Sequence, residues 1–468
     1  MDKNRILPRL GFAYRLTNDG KWVVRSGFGL YNVTILGTTF HSLTGTIQGS
    51  ASEYTNSINS ATGQPLYAWP EIGYGSGTSG CTTCFGTNEF NASIDIHYHD
   101  AETAQWALTV EHDLGRGYGI RASYTGSGTS HLNLKQDENT LPLSSTMSAY
   151  NQPFSARRFP NWGILMNYGS QATANYNAME IEAKHHMENG LQFDSTFTWA
   201  RALSDNNGAT STEYPAERGG GDFASWVNDK RLDYGNTPGP RRLHWQTTAI
   251  YELPVGRGRQ LGSTMPRALD VVVGGWQLSN IFTWQTGVYL TPTFSGGETD
   301  PSGTGSGLET SLAGWIPTDA SQHPDRLAGA SVKPAHQGRS NWLNPTAFAC
   351  PGWTAWQAGE AFDTGAGYNA DGTPVSNFGP ALPIGRFGNS GTGTVEGPGY
   401  IQLNSGLAKI FSLHERFKLR VEASFTNVTN HTNLNEENLN LNLSSASFGV
   451  ITAGLGGRSG QIAARLDF

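Results

Sequence analysis

Phe417-Lys418-Leu419-Arg420-Val421-Glu422-Ala423-Ser424-Phe425-Thr426 alternates apolar and polar side chains without a fault. Phe417, Leu419, Val421, Ala423 and Phe425 share one face, and Lys418, Arg420, Glu422, Ser424 and Thr426 share the other. A helix turns about 100° per residue and would mix the two sets, whereas an extended chain with its period of two keeps them apart. The stretch predicts a β-strand with one face in apolar surroundings and one in polar surroundings.

The same rhythm runs outward in both directions. Ile462, Ala464, Leu466 and Phe468 oppose Gln461, Ala463, Arg465 and Asp467; Leu10, Phe12, Tyr14 and Leu16 oppose Arg9, Gly11, Ala13 and Arg15. Tyr118, Ile120, Ala122 and Tyr124 oppose Gly119, Arg121, Ser123 and Thr125, and Met179, Ile181 and Ala183 oppose Glu180, Glu182 and Lys184. Leu191, Phe193, Phe197 and Trp199 oppose Gln192, Asp194, Thr196 and Thr198. Eleven strands are placed in this way, near 7–16, 21–32, 104–114, 118–126, 175–186, 191–203, 241–253, 275–290, 400–412, 417–427 and 460–468. Most have the roughly 9 to 11 residues that a tilted strand needs to cross a bilayer.

Composition agrees with a membrane wall. Charged residues make up 15% of the chain and aromatics 11%, where a soluble domain carries about 25% charged residues. No apolar run reaches the roughly 18 to 20 residues of a membrane-spanning helix, which excludes the helical class and leaves the strand-built one. A net charge of −7 and the lack of a Lys/Arg run argue against a nucleic-acid partner, which would have to be met by a basic patch.

The connections alternate between short and long. Thr17-Asn18-Asp19-Gly20, Gly115-Arg116-Gly117, Met187-Glu188-Asn189-Gly190 and Leu413-His414-Glu415-Arg416 are short, and 254–274 is intermediate. The segments 33–103, 127–174, 204–240, 291–399 and 428–459 are long. Short periplasmic turns and long extracellular loops are the asymmetry of an outer-membrane barrel. With that orientation the first strand runs inward and the last ends at the periplasmic side. Single-chain bacterial barrels have an even strand number, so the parity implies strands outside these 468 residues. Met1 to Leu10 lack a basic n-region, an apolar h-region and a cleavage site, which places an export signal upstream if the barrel reading holds.

Aromatics fall where two interfacial girdles are expected. Tyr14, Trp22, Tyr118, Tyr251 and Trp276 flank the short connections, and Trp106, Tyr124, Trp199, Trp245 and Trp284 lie toward the long ones.

The chain resembles the C-terminal barrel region of TonB-dependent outer-membrane receptors, in particular the Oar-like group. The resemblance is carried by Pro8-Arg9-Leu10-Gly11-Phe12-Ala13-Tyr14-Arg15, Val24-Arg25-Ser26-Gly27-Phe28-Gly29, Tyr176-Asn177-Ala178-Met179 and Phe197-Thr198-Trp199-Ala200-Arg201-Ala202-Leu203-Ser204-Asp205. It continues in Tyr251-Glu252-Leu253-Pro254-Val255-Gly256-Arg257-Gly258, Gly274-Gly275-Trp276-Gln277-Leu278-Ser279, Arg420 to His431 and Arg465-Leu466-Asp467-Phe468. It implies an all-β, transmembrane antiparallel β-barrel, present here as about 11 of an expected 22 strands. Residues 1–468 would be its C-terminal portion, without the N-terminal plug and signal peptide. The implied partners are outer-membrane lipid, the barrel-assembly machinery, a TonB-type energy-coupling protein acting through the missing plug, and a nutrient ligand of unknown identity. The terminal Phe468 fits the aromatic C-terminal signal that assembly machinery reads, and it also completes the apolar face of the last strand.

Chemistry-bearing motifs are sparse. Cys81-Thr82-Thr83-Cys84 has no second pair at zinc-site spacing, and a small loop disulfide between Cys81 and Cys84 is the reading preferred over metal binding. Cys350 stands alone. His97 and His99 share a strand face and His185-His186 are adjacent, but no third ligand is identifiable, so all four are read as solvated histidines. Glu436-Glu437 lies in an Asn-rich loop with no sign of burial, and Gly219-Gly220-Gly221 reads as a loop. No nucleophile elbow, P-loop or zincin helix occurs, and no enzyme activity, cofactor or metal is expected.

The polar strand faces offer Arg15, Arg25, Glu111, Arg121, Glu182, Lys184, Arg420 and Glu422 to a lumen. Three functions follow: a receptor and transporter barrel for a large nutrient, a structural or adhesive barrel displaying its loops, and a soluble β-rich carbohydrate-binding protein.

Overall fold

The computed structural model describes residues 6–33, 90–140, 142, 156–159, 165–206, 229–293, 323–349, 387–414, 417–443 and 445–467. In chain order its strands are β1 (Arg9–Arg15), β2 (Trp22–Val33), β3 (Phe90–Ile94), β4 (Ala101–Gly115), β5 (Tyr118–Asp137), β6 (Leu165–Glu188) and β7 (Leu191–Ser204). There follow β8 (Gly235–Asn236), β9 (Leu243–Glu252), β10 (Trp276–Gln285), β11 (Tyr289–Leu290), β12 (Asp325–Arg326) and β13 (Phe348–Ala349). The last are β14 (Val395–Glu396), β15 (Tyr400–His414), β16 (Phe417–Thr426) and β17 (Ser459–Asp467).

One antiparallel wall runs β1-β2-β4-β5-β6-β7-β9-β10-β15-β16-β17, with β3 and β8 attached beside β6 and β7. All eleven expected strands are present, each paired with its sequence neighbour along the wall. The path is open: among the described residues β1 and β17 do not pair with each other.

Turn chemistry explains the tight hairpins. Asn189 and Gly190 join β6 to β7 with φ 53 and 83. Both values are positive, as the primed hairpin turn requires, and Asn-Gly is the pair that adopts it at least cost. Between β1 and β2, Gly20 N donates to Thr17 O at 3.0 Å and the Thr17 hydroxyl bonds the Asp19 carboxylate at 2.5 Å.

Several boundaries differ from expectation. β5 and β6 were expected near 118–126 and 175–186, but they run for 20 and 24 residues. At about 3.3 Å per residue β6 is about 80 Å long, more than twice what a bilayer crossing needs. Ser127-Gly128-Thr129-Ser130-His131 is polar on both faces. Outside lipid neither face has to be apolar, so the period that marks a strand disappears there. β10 stops at Gln285 rather than near 290, because the chain leaves the wall beyond it to pair β11 with β14. The intermediate connection 254–274 contains a short helix, Arg267–Val273.

The long connections build a second packing unit beside the wall. Leu343, Ala347, Phe348, Val395, Leu439, Leu443, Phe448 and Ile451 form a buried apolar cluster, in which Phe348 and Ile451 are 0% exposed. This core draws on three separate loop segments at the long-loop end of β9, β10 and β15. It forms a cap on the extracellular side.

Candidate functional site

Cross-strand register determines which residues share a face. Directly opposed residues in an antiparallel pair project to the same side. Following the pairs around the wall links Leu10 to Phe28, Phe28 to Trp106, Leu108 to Tyr124 and Tyr124 to Met179. From Met179 the same face continues to Trp199, and Phe197 leads to Trp245, Trp284 and Ile401. Val421 opposite Ala464 and Ala423 opposite Ile462 complete it. All ten aromatics of the two expected girdles lie on this one face: Tyr14 opposite Val24, Trp22 opposite His112, Tyr118 opposite His185, Tyr251 opposite Leu278 and Trp276 opposite Lys409 mark its short-turn border.

The face is exposed. Phe12, Leu108, Ile181, Trp199, Ile462 and Leu466 are each between 45% and 80% accessible. An apolar surface of that extent, bordered at both ends by aromatics, is a lipid-contacting belt.

The opposite face carries every one of the eight lumen residues expected from sequence. The structure joins seven of them into ion pairs. Arg25 meets Glu111 at 3.1 Å, Arg121 meets Glu180 at 2.8 Å and Glu182 at 3.0 Å, and Lys184 meets Glu182 at 2.6 Å and Asp194 at 3.4 Å. Arg420 and Glu422 pair within β16 at 3.0 Å. Glu182 is the hub of this ladder, with its side chain only 10% exposed between two cations. Beside it Glu111, Arg121, Glu182, Lys184 and His186 line an open recess of about 470 Å³ near the short turns. Glu180 and Asp194 were legible as polar-face residues, but their roles depend on which neighbour the register brings alongside.

The cap is fastened to the wall by charge. Arg241, just before β9, grips Glu436 with both terminal nitrogens, one of them at 2.6 Å, and donates to Thr286 O at 3.2 Å. Arg242 reaches Glu396 at 3.4 Å, and the Trp342 indole donates to Glu396 O at 3.0 Å. Glu436 is therefore not a solvated loop carboxylate, as its Asn-rich surroundings suggested: its side chain is 20% exposed and holds a bidentate pair. The spaced leucines Leu434, Leu439, Leu441 and Leu443 carried the signal for burial. His323 is 4% exposed in the same cap. Its loss of hydration pushes its pKa down from 6.5 to about 4, against a backbone hydrogen bond at Gly391 that pulls the other way.

The histidines divide. His97 and His99 are exposed, and their backbone N–H groups bond Asp95 and Ser170. His185 corrects the solvated reading: it is 4% exposed, donates or accepts through Nδ1 at Leu191 O (2.8 Å), and lies 4.0 Å from the Tyr118 ring and 6.0 Å from Phe193. It belongs to the inner aromatic girdle. Cys81, Cys84, Cys350, Gly219-Gly220-Gly221 and Phe468 lie outside the described residues.

An open antiparallel wall with a lipid belt on one side and a charged, polar surface on the other is the wall of a membrane-spanning β-barrel. The chain belongs to the family described as an outer membrane beta barrel domain, which matches residues 1–461. It is thus a protein of the bacterial outer membrane, and the soluble carbohydrate-binding reading is set aside. No curated protein matches the sequence. Among solved structures it is similar to the outer membrane transporter YddB from Escherichia coli, at 7% identity and TM-score 0.44, covering 97% of this chain and 40% of that one. It is similar to the siderophore receptor PiuA from Acinetobacter baumannii, at 8% identity and TM-score 0.39, covering 98% and 35%. It is also similar to the ferripyoverdine receptor of Pseudomonas aeruginosa, at 10% identity and TM-score 0.38, covering 100% and 33%. The chain spans 40% or less of the length of each of these three.

Proposed function

We propose that this chain is part of the barrel wall of a TonB-dependent, Oar-like receptor that takes up a large nutrient. One observation carries the reading: eleven strands pair in a single path, and among the described residues β1 and β17 still do not pair with each other. Eight strands already close a barrel just wide enough for its own side chains, whereas 22-stranded transporters enclose a plugged lumen. A path that stays open at eleven strands favours the wide class. The ordered motifs quoted above support the TonB-dependent assignment. The mixed-sign ladder supports a wet lumen wall, because salt-bridged side chains facing inward suit contact with a protein plug or a hydrated solute. In this reading Phe468 serves as the assembly signal, and Cys81 and Cys84 close a small disulfide in an extracellular loop.

The test is in the source bacterium, on the complete reading frame. Deletion is expected to slow growth when iron complexes, cobalamin or large glycans are scarce, and chemical cross-linking is expected to trap the protein with the energy-coupling partner. Unchanged growth under all of these limitations, together with no cross-linked adduct, would overturn it.

A second reading, a barrel that displays its loops for adhesion, is favoured by the cap, whose own hydrophobic core gives it a fixed shape. Loss of surface attachment in the deletion strain, with uptake intact, would select that reading instead.

A further inference from the structure

The connection 254–274 does not behave as a periplasmic turn that merely links β9 to β10. The C-terminal end of its helix Arg267–Val273 is tethered to the lipid-facing side of the wall by two side chains of that side. The Trp276 indole donates to Val272 O at 3.0 Å. Lys409 Nζ donates to the same carbonyl at 2.9 Å and to Gly274 O at 2.6 Å, with the Trp276 ring 5.0 Å away. Trp276 and Lys409 are register partners on the belt face. An ammonium on a lipid face is costly toward the bilayer centre and nearly neutral at the interface. Here the carbonyls at the end of the helix satisfy it. From the other end of the connection Arg257 N donates to the carboxylate of Asp270 in the helix at 2.7 Å, so the link is closed on itself rather than extended.

This arrangement leaves an apolar surface uncovered. Leu261, Leu269, Val271 and Val272 are 59%, 49%, 58% and 65% exposed. Three exposed arginines, Arg257, Arg259 and Arg267, stand among them, with Asp270 the sole acidic residue between 254 and 274. A water-facing turn has no reason to expose four large aliphatic side chains, and a basic amphipathic element beside a bilayer has one.

We propose that 254–274 is an interfacial anchor: its aliphatic side chains enter the acyl boundary of the periplasmic leaflet, and Arg257 and Arg267 engage anionic phospholipid headgroups. The occupant is fixed by continuity, since the helix is hydrogen-bonded to the inner border of the belt that already meets lipid, and by charge. Arg259 is partly engaged by Glu252 at 3.2 Å and contributes less. The inference rests on the barrel wall alone and is independent of the transport reading.

The experiment uses the protein purified from outer membranes and reconstituted in phosphatidylcholine vesicles with or without phosphatidylglycerol. Cys81, Cys84 and Cys350 are replaced by Ser, and an environment-sensitive fluorophore is attached at Val272→Cys or, as the belt reference, at Leu108→Cys. Nitroxide lipids with shallow labels are expected to quench the fluorophore at 272, more so with phosphatidylglycerol. R257Q and R267Q are each expected to lower the docked-to-undocked ratio about five-fold in the anionic vesicles, and to have no such effect in the zwitterionic ones. Quenching at 272 by aqueous iodide alone, while the Leu108 reference is quenched by lipid, would overturn the proposal. So would equal quenching at 272 in both lipid compositions for the parent and the arginine variants.

Discussion

The Trp106 indole covers Gly126 across the β4–β5 pair so closely that a Cβ at 126 would stand 2.3 Å from its Cε2 and Nε1. The same relationship recurs where Phe425 covers Gly460, with a Cβ there 2.6 Å from the ring. Both pairs lie on the lipid face, where a glycine gives an aromatic a flat bed on the neighbouring strand and offsets its own poor strand propensity.

Gly126→Val is therefore expected to displace Trp106 and destabilise the folded wall by about 1–3 kcal/mol, the usual cost of overpacking. Denaturant unfolding followed by gel mobility measures it. Adding Trp106→Ala should recover part of the loss, giving a coupling that two independent defects would not produce.

Glu182→Gln is expected to weaken the ladder more than Arg25→Gln, although each change removes one charge. Glu182 touches both Arg121 and Lys184 and is nearly covered, whereas Arg25 is 57% exposed. The first should cost about 1–2 kcal/mol and the second less than about 1 kcal/mol. Thermal unfolding of the two variants at low and high salt gives the comparison, and equal losses would remove Glu182 from its place as hub.

Arg241→Ala should loosen the cap and spare the wall. The bidentate pair with Glu436 and the bond to Thr286 O are lost together, at about 1–3 kcal/mol. Limited proteolysis should cut within 428–458 sooner than in the parent protein, with the membrane-embedded strands as resistant as before.

The cap should also weaken in acid through His323. Its folded pKa lies near 4, below the ordinary 6.5, so the unfolded cap takes up the proton first. The contribution is complete above about pH 6.5 and lost as pH falls toward about 4, to a limit of about 3 kcal/mol. Hydrogen exchange of residues 387–399 between pH 7 and pH 4 checks the slope, and His323→Asn should flatten it.

What sequence made legible was the part of the chain that lipid constrains. Where one face must be apolar and the other wet, as from Phe417 to Thr426, alternation appears and strand, face and register partner follow. Beyond the bilayer that demand lapses, so Ser127 to His131 gave no periodic signal although it continues β5. The ladder was half legible: Glu182 and Lys184 were assigned to the lumen side, but the contact of Lys184 with Asp194 depends on β6–β7 register. The cap was least legible, because its core gathers Leu343, Val395 and Ile451 from segments far apart in sequence, and no local pattern marks such residues as neighbours.

The wall's irregularities sit at the turn ends of strands, between Asp113 and Gly115, His185 and Glu188, and Ser412 and His414, or in the long extension of β5, between Thr129 and Leu132 and between Leu132 and Leu134. Between those points the pairing advances one residue for one residue. The embedded stretch of each strand thus has a reading frame of its own, distinct from the codon frame. A missense change there alters one side chain, whereas a one-residue deletion turns lipid-facing positions inward and lumen-facing positions outward as far as the next loop. In-frame single-codon deletions should be purged from the strands and accumulate in the long connections, so that natural length variation alone would trace the membrane boundary.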